Sequence, residues 1–448
     1  MKLKKEYWIF GFIIIIIAFI FIMYIQQQLK EKKEEIPESE LVDESISNIP
    51  QLGNLCTGED ECKDFCLNNR GRCDEYCKEN EDELCKIIFL PEEPLTEKNI
   101  ESERQEVCEG TKTKFDFAPV NLDKTKVFLP LGLMIDSHVT PIDHHYFQNF
   151  DNEGYNIEIY SPGDGYITDI GHMPGAKNGE DYRVVIEHTC TISSVYIHLG
   201  TFAEKFKPYA PDNNSYVSLR IPVKGDELIG YYEKNVDYNL VDEEVVLSGF
   251  VVPDHYRGES WKIHVPNTYD YFNEPVRSKL IEKSVRTAEP ISGKIDYDID
   301  GKLVGNWFLE GTDGYAGDTS LERYWLGHLS IVYDAYDPKR IVISIGNYGE
   351  ENSKQFGVKG NSPDPASVGI ENFLVKYELV KYDHITPSGN SWDVISLVKD
   401  LKTVSNEIVQ GVALVQMLEN RKIKFEAFPG KKASEVIGFT SAARIYER

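Results

Sequence analysis

The sequence predicts a mainly β protein, preceded by a single transmembrane helix and a small disulfide-linked helical hairpin. Three observations favour this fold class. Residues 7–25 form an uncharged apolar run, six cysteines crowd into residues 56–85, and apolar and polar positions alternate in much of the chain beyond residue 110. Alternation with a period of two is typical of strands, because successive side chains on a strand point to opposite faces.

The N-terminal apolar run, YWIFGFIIIIIAFIFIMYI, holds nineteen residues without a charge. As a helix it covers roughly 28 Å, close to the thickness of a hydrocarbon core of about 30 Å, so we predict one membrane span. A cleaved signal peptide is the alternative, but signal peptides in general have a shorter apolar stretch, which is followed by a cleavage site of small residues. This run ends in Met23, Tyr24 and Ile25, which favours an uncleaved signal anchor.

The cysteines indicate the compartment, because lysines flank the apolar run on both sides and leave its orientation open. Such a density of cysteines is typical of oxidising compartments, so we expect the bulk of the chain to be extracellular. The steps Cys62-x3-Cys66 and Cys73-x3-Cys77 place each pair on one face of a short helix. A metal site is the weaker alternative, since Cys-x2-Cys knuckles are absent. The disulfide connectivity stays open.

The charge of the chain excludes one class of partner. Acidic residues outnumber basic ones by 74 to 48, a formal net charge of -26. Such a chain repels phosphate backbones, so we expect no nucleic-acid partner. The acidic excess lies in the segments that follow the apolar run, and we interpret it as the surface of an exposed ectodomain.

The alternating segments include YNIEIYSPGDGYITDIG, YRVVIEHTCTISSVYIHLG and KIDYDIDGKLVGNWFLEG. Short β-branched and aromatic runs broken by Gly, Asp, Asn or Pro predict antiparallel strands over most of residues 114–382. DYDIDG begins like a calcium loop, but Trp307 stands where the bidentate Glu belongs. A hairpin turning at Asp300-Gly301 is the favoured interpretation.

Near the end of the chain the apolar spacing changes. Apolar residues recur at helical intervals in SWDVISLVKDLKTVSNEIVQGVALVQMLENRK, and they predict a helix there; examples are Val394, Leu397, Leu401 and Val404.

The histidines are concentrated in one part of the chain, since eight of the ten fall between His138 and His264. A catalytic zinc site needs three protein ligands and an open position for water, and neutral imidazole is a common ligand. The alternative for each residue is a packed strand position, which we favour for His188, and we expect His328 to lie in a core. The candidate residues for such a zinc site are His138, Asp143, His144, His145, His198 and His264.

The region from Val127 to Pro275 resembles the lysostaphin-type (LytM-like) zinc peptidases, whose β-sandwich carries the duplicated hybrid motif. The resemblance rests on IYSPGDGYITDIG, VYIHL and PVKGDELIGYY, which follow one another in the family's order. It implies a lysostaphin-type β-sandwich, zinc as the cofactor, and a catalytic role for His198, which matches the His of Y-x-H-L. The ligands it implies are His138, Asp143 and His264.

Two departures from the family's pattern predict an incomplete catalytic set. Four residues rather than three separate His138 from Asp143, and Lys262 in WKIHV stands at the position of the family's catalytic His. If WKIHV is a strand, Lys262 and His264 share a face, and an ammonium there repels a dication. A shift of register would let His144 or His145 substitute as a ligand.

We therefore expect a single-pass protein of the cell membrane whose peptidase-like domain is degraded as a catalyst and serves in binding or envelope assembly. The alternative is an active zinc endopeptidase or amidase acting on a cell-surface polymer, and a second alternative is a purely structural envelope protein. The expected partners are the membrane, through one N-terminal span, and a cell-surface polymer or an envelope protein.

These patterns divide the chain into seven parts. We predict a transmembrane signal anchor at 1–29, a stalk at 30–52, a cysteine-rich disulfide module at 53–90, a linker at 91–110, a peptidase-like β domain at 111–288, a second β domain at 289–384, and a C-terminal helix with a small closing module at 385–448.

Overall fold

The computed structural model describes residues 113–173, 180–212, 215–318, 323–349 and 352–448. The predicted anchor, stalk, cysteine module and linker lie outside these residues. Within them, no helix has the length and apolar character needed to cross a membrane. Cys190 takes part in a disulfide bond, and the other seven cysteines precede residue 113, outside the described residues.

The first part of the described chain folds into two antiparallel sheets, and strands such as Ile157–Tyr160 and Tyr182–Glu187 show the predicted alternation. One helix, α1, spans Val276–Lys283, and 3-10 segments include Pro253–His264 and Thr268–Tyr271. The strands are β1 Val127–Leu129, β2 His145–Gln148, β3 Ile157–Tyr160, β4 Gly165–His172, β5 Tyr182–Glu187, β6 Ile192–Leu199, β7 Thr201–Phe202, β8 Tyr216–Val223, β9 Leu228–Tyr232 and β10 Asn235–Asp242.

The two sheets share one hydrophobic core. The larger sheet has seven strands in the order β1-β2-β10-β6-β5-β4-β8, and the smaller has the order β3-β9-β7. Buried side chains of both sheets, such as Ile159, Ile186 and Tyr238, meet in a single cluster together with Leu280 of α1. Burial of this apolar surface stabilises the sheets and leaves the other face of the larger sheet free for different contacts.

The second part of the described chain is a closed antiparallel barrel in which consecutive strands pair and β18 returns to β11. Closure leaves no sheet edge unpaired. Trp307, Ile343 and Tyr377 are fully buried in its interior. The strands are β11 Gly305–Leu309, β12 His328–Tyr333, β13 Ile341–Ile345, β14 Lys354–Val358, β15 Val375–Ile385, β16 Lys402–Leu418, β17 Lys422–Pro429 and β18 Arg444–Glu447.

The predicted C-terminal helix is wrong, and with it the separate module at 385–448, because these residues supply β16, β17 and β18 to the barrel. β16 pairs with β15 on one side and with β17 on the other. Ala413 and Val415 face the barrel interior, whereas Val412 and Leu414 pack in a cluster with Val436. Val394, Leu397 and Leu401, three of the residues whose spacing predicted the helix, lie in irregular chain before β16. β16 itself contains a continuous apolar run, which periodicity alone does not separate from a helix.

The predicted hairpin at Asp300-Gly301 is correct only as a turn. Gly301 has a φ of 74°, in the region that glycine adopts without strain, and β11 follows it. Residues 294–299 do not form a strand. Instead of a hairpin strand, a side chain accepts a hydrogen bond from β11: the Asp298 carboxylate accepts from the Asn306 backbone N–H at 2.8 Å.

The barrel packs against the sheets through two apolar clusters. Phe308 and Tyr315 of the barrel part join Leu131 and Tyr256 in one cluster, and Tyr336 and Trp392 join Val127 and Leu129 in another. His328 at the start of β12 is 2% exposed, so its predicted core position is confirmed. Its ring bonds to the Tyr315 carbonyl at 3.0 Å, which helps to hold the β11–β12 connection.

Candidate functional site

A pocket of about 300 Å³ lies on one face of the seven-stranded sheet. Its floor is formed by residues on or beside β2, β10, β6 and β5, and its roof by the 3-10 segment Pro253–His264. Tyr315 and Tyr324, from the connection between β11 and β12, close one side. The pocket therefore depends on both the sheet and the barrel.

The alternation of β10 explains which of its side chains reach the pocket. Val236, Tyr238 and Leu240 are buried in the shared core, so Asp237 and Asn239 point to the opposite face and line the pocket. Asp237 is paired with Ile197 and Asn239 with Val195 on β6. Two polar side chains are thus fixed on rigid central strands.

A buried ion pair lies at one end of the pocket. Lys262 is 1% exposed and Asp143 is 6% exposed, and the Lys262 Nζ lies 3.2 Å from the Asp143 Oδ1. The ammonium also lies 4.6 Å from the centre of the Tyr315 ring. Burial alone would raise the pKa of the Asp143 carboxyl, but Lys262 and His144 hold it well below its usual range.

His144 extends this ion pair into a chain of alternating charges. Its Nδ1 lies 3.4 Å from the Asp143 Oδ1, and its Nε2 lies 3.3 Å from the Asp237 Oδ2. Although burial opposes the charged form, the two carboxylates raise the pKa of His144. Burial raises the pKa of Asp237, and His144 and His198 oppose that rise. An imidazolium between two carboxylates is attracted to both, and its Nε2 also lies 3.1 Å from the Tyr146 hydroxyl.

His198 continues the chain of charges toward solvent. Its backbone has a φ of 73°, which is uncommon for a residue other than glycine and marks a position held by its surroundings. The Nδ1 donates to the Asp181 carboxylate at 3.0 Å, and the Nε2 lies 3.6 Å from the Asp237 Oδ2. The hydrogen bond to Asp181 raises the pKa of His198.

His138 lies at the mouth of the pocket, 6.2 Å from His144 between ring centres. The surrounding protein, together with the positive charges of His144 and Lys262, lowers the pKa of His138 to about 4. Its imidazole is therefore neutral near neutral pH and can accept a hydrogen bond.

The structure brings four of the five predicted site residues together, because His138, Asp143, His198 and Lys262 all line the pocket. His264 does not line it; its Nδ1 donates to the Val245 carbonyl at 2.6 Å. The expectation that Lys262 and His264 share a strand face is wrong, because both belong to the 3-10 segment Pro253–His264. Their alternation in sequence therefore has no meaning for the site.

The donor set does not match the zinc site that the resemblance implies. Among the described residues, no group of three or more His, Cys, Asp or Glu side chains is arranged to hold a metal ion. The physical reason is local: the Asp143 carboxylate is already paired with an ammonium and an imidazole. A dication there would have to displace one of these cations.

Sequence reasoning missed Asp237, Asn239, Asp181 and Glu259, which lie in or beside the pocket. For β10 a signal was present, because NVDYNLVD alternates Val, Tyr and Leu with Asp237 and Asn239. No local pattern marks Asp181 or Glu259, because they reach the site from a loop and from a 3-10 segment.

No family model matches this chain, and no curated protein matches it.

Proposed function

We propose that the chain displays a metal-free binding domain of the lysostaphin type at the cell surface, with the pocket as its ligand site. The observation that carries the proposal is the Lys262–Asp143 ion pair, in which an internal ammonium neutralises the carboxylate predicted to bind zinc. The predicted anchor and extracellular location make a cell-surface polymer or an envelope protein the expected ligand.

The chemistry of hydrolysis argues for binding rather than catalysis. A metallopeptidase uses its ion to polarise a carbonyl and to acidify a bound water. Lys262 supplies one positive charge, but an ammonium has no open coordination position for water. With Asp143 and His144 already held in ion pairs, His138 is the one predicted ligand in the pocket that keeps a free neutral side chain.

The zinc content of the full chain, purified in detergent with added zinc and then dialysed, tests this proposal. We expect far less than one zinc per chain, and the same value for His138→Ala. A stoichiometric zinc that is lost in His138→Ala and in Asp143→Ala would contradict the proposal and would favour the zinc hydrolase. His172→Ala, which changes a histidine that does not line the pocket, is the matched control.

A further inference from the structure

The positive charges of the described pocket residues are paired. Four cationic side chains among these residues line the pocket, and each lies against a carboxylate. The N–O distances are 3.2 Å for Lys262–Asp143, 3.3 Å for His144–Asp237, 3.0 Å for His198–Asp181 and 3.2 Å for Arg183–Asp169. Little positive charge is therefore left to attract an anionic ligand.

Besides the His138 imidazole, two oxygen acceptors of the described residues remain available in the same pocket. The first is the Oδ1 of Asn239, which is buried and has no hydrogen-bond partner among the described residues. Asn239 as a whole is only 6% exposed and lines the pocket from β10. A buried acceptor without a donor costs stability, so its retention on a central strand needs a reason, and a ligand donor supplies one.

The second available acceptor is the Glu259 carboxylate. Within the residues that the structure describes, Glu259 has no ion-pair partner. Burial raises the pKa of Glu259, whereas the positive charge of Lys262 and a hydrogen bond from Tyr315 lower it. A carboxylate in this position gains most from a cation that arrives with the ligand.

The wall beside these acceptors is aromatic. Trp261 is 37% exposed and, with Tyr324, lines the pocket. Flat rings of this kind pack well against a flexible methylene chain, and the Arg183 guanidinium already lies 5.7 Å from the centre of the Trp261 ring. The pocket thus combines unpaired acceptors with an apolar wall.

We propose that the pocket binds a primary ammonium group carried on a peptide segment, such as a lysine side chain, with Asn239 and Glu259 as its acceptors. This inference rests on the proposed binding function and names the ligand class. The ammonium supplies the donors that Asn239 and Glu259 lack, while its methylene chain lies along Trp261. The net charge of -26 favours the approach of a cationic ligand at low ionic strength.

Titration calorimetry with the full chain in detergent tests the inference. The probes are acetyl-Gly-Lys-Gly-amide and the same peptide acetylated on the lysine amine, which keeps the length and removes the charge. We expect the lysine peptide to bind at least about tenfold more tightly, because hydrogen bonds to a charged group are the stronger ones.

Two variants link the binding to the pocket. Asn239→Leu and Glu259→Gln should each weaken the lysine peptide about tenfold. Asn239→Leu should unfold at the same temperature as the parent chain or higher, because it removes a buried acceptor without a partner. Asp254→Asn is the matched control: it removes one negative charge from the same 3-10 segment, outside the pocket.

Each outcome decides the inference. Tighter binding of the lysine peptide, lost in both variants and kept in Asp254→Asn, supports it. Equal binding of both peptides, weakened by Asn239→Leu, overturns the ligand class but leaves the pocket as a binding site. Absence of binding by either peptide, or an Asn239→Leu variant that binds normally and is less stable, also overturns it. The proposed binding function is tested separately by the zinc content, since stoichiometric zinc lost in His138→Ala and Asp143→Ala would contradict it whatever the peptides do.

Discussion

Two buried carboxylate–histidine networks in this molecule differ in how completely they are satisfied. Beside the barrel, the Asp334 carboxylate is 4% exposed and has a donor on every side. It receives hydrogen bonds from the Thr403 hydroxyl at 2.8 Å, the Tyr336 and Asp337 backbone N–H groups at 2.9 and 2.8 Å, and His384 at 2.9 Å. Such a network holds strands together and offers nothing to a ligand.

The pocket network is also built from carboxylates and imidazoles, but it borders a cavity, and acceptors beside it lack a matching donor or ion pair. Asn239 Oδ1 has no hydrogen-bond partner and Glu259 forms no ion pair among the described residues, although Lys262 acts on its charge. Proteins seldom keep such groups buried without a reason. Of these two networks, the one that borders a cavity is therefore the one with an unmatched acceptor beside it.

The largest expected effect lies in the barrel network. Asp334→Ala leaves His384, Thr403 and two backbone N–H groups without their acceptor, and we expect a loss of about 4 kcal/mol in the free energy of unfolding. Peptide binding in the pocket should persist in the folded fraction. Urea unfolding measures the loss. Asp383→Ala, at an exposed neighbouring position, is the control, and an equal loss there would contradict the special role of Asp334.

A smaller effect is expected in the pocket. Lys262→Met removes the buried ammonium and leaves Asp143 with His144 as its remaining ion-pair partner, at a cost of about 3 kcal/mol. Adding Asp143→Leu should recover much of that loss, because replacing both members of a buried pair by apolar residues is often nearly neutral. A double-mutant cycle in urea measures the coupling. Simple addition of the two single effects would show that the pair is not coupled.

The smallest expected effect concerns the pH dependence of stability, to which His328 and His198 contribute in opposite directions. Burial lowers the pKa of His328 to about 3, so its contribution to stability is present above pH 6.5 and declines as the pH falls toward 3. The Asp181 hydrogen bond raises the pKa of His198, so its contribution is full below pH 6.5 and is lost as the pH rises through the folded pKa.

Urea unfolding of the parent chain, His328→Gln and His198→Gln, from about pH 4 to about pH 9, separates the two histidines. The His328→Gln variant should lose less stability on the acid side, and His198→Gln should lose less on the alkaline side. The same pH dependence in both variants would refute the assignment of opposite charge states.

Much of the β structure could be predicted from the sequence, because strands such as β3 and β5 carry their own alternation of buried and half-buried positions. The segments that contain β3 to β6 were identified from short apolar runs bounded by turn residues. β16 could not be identified in this way. Its two faces are buried against different parts of the barrel, and that pairing depends on residues far along the chain.

The site was predictable only where its residues lie in one marked motif. His138, Asp143 and His198 stand in such motifs, and they do meet in the pocket. Lys262 was given a strand position, although it belongs to a 3-10 segment. Its contact with Asp143 joins residues 119 positions apart, which neither spacing nor composition encodes.

The most direct test of the central claim is an anomalous diffraction map at the zinc edge from crystals of the protein soaked in a zinc salt. We predict no peak between His138 and Asp143, and a Lys262 ammonium that stays beside the Asp143 carboxylate. A peak held by His138 and Asp143, with Lys262 displaced, would contradict the account of a metal-free binding pocket.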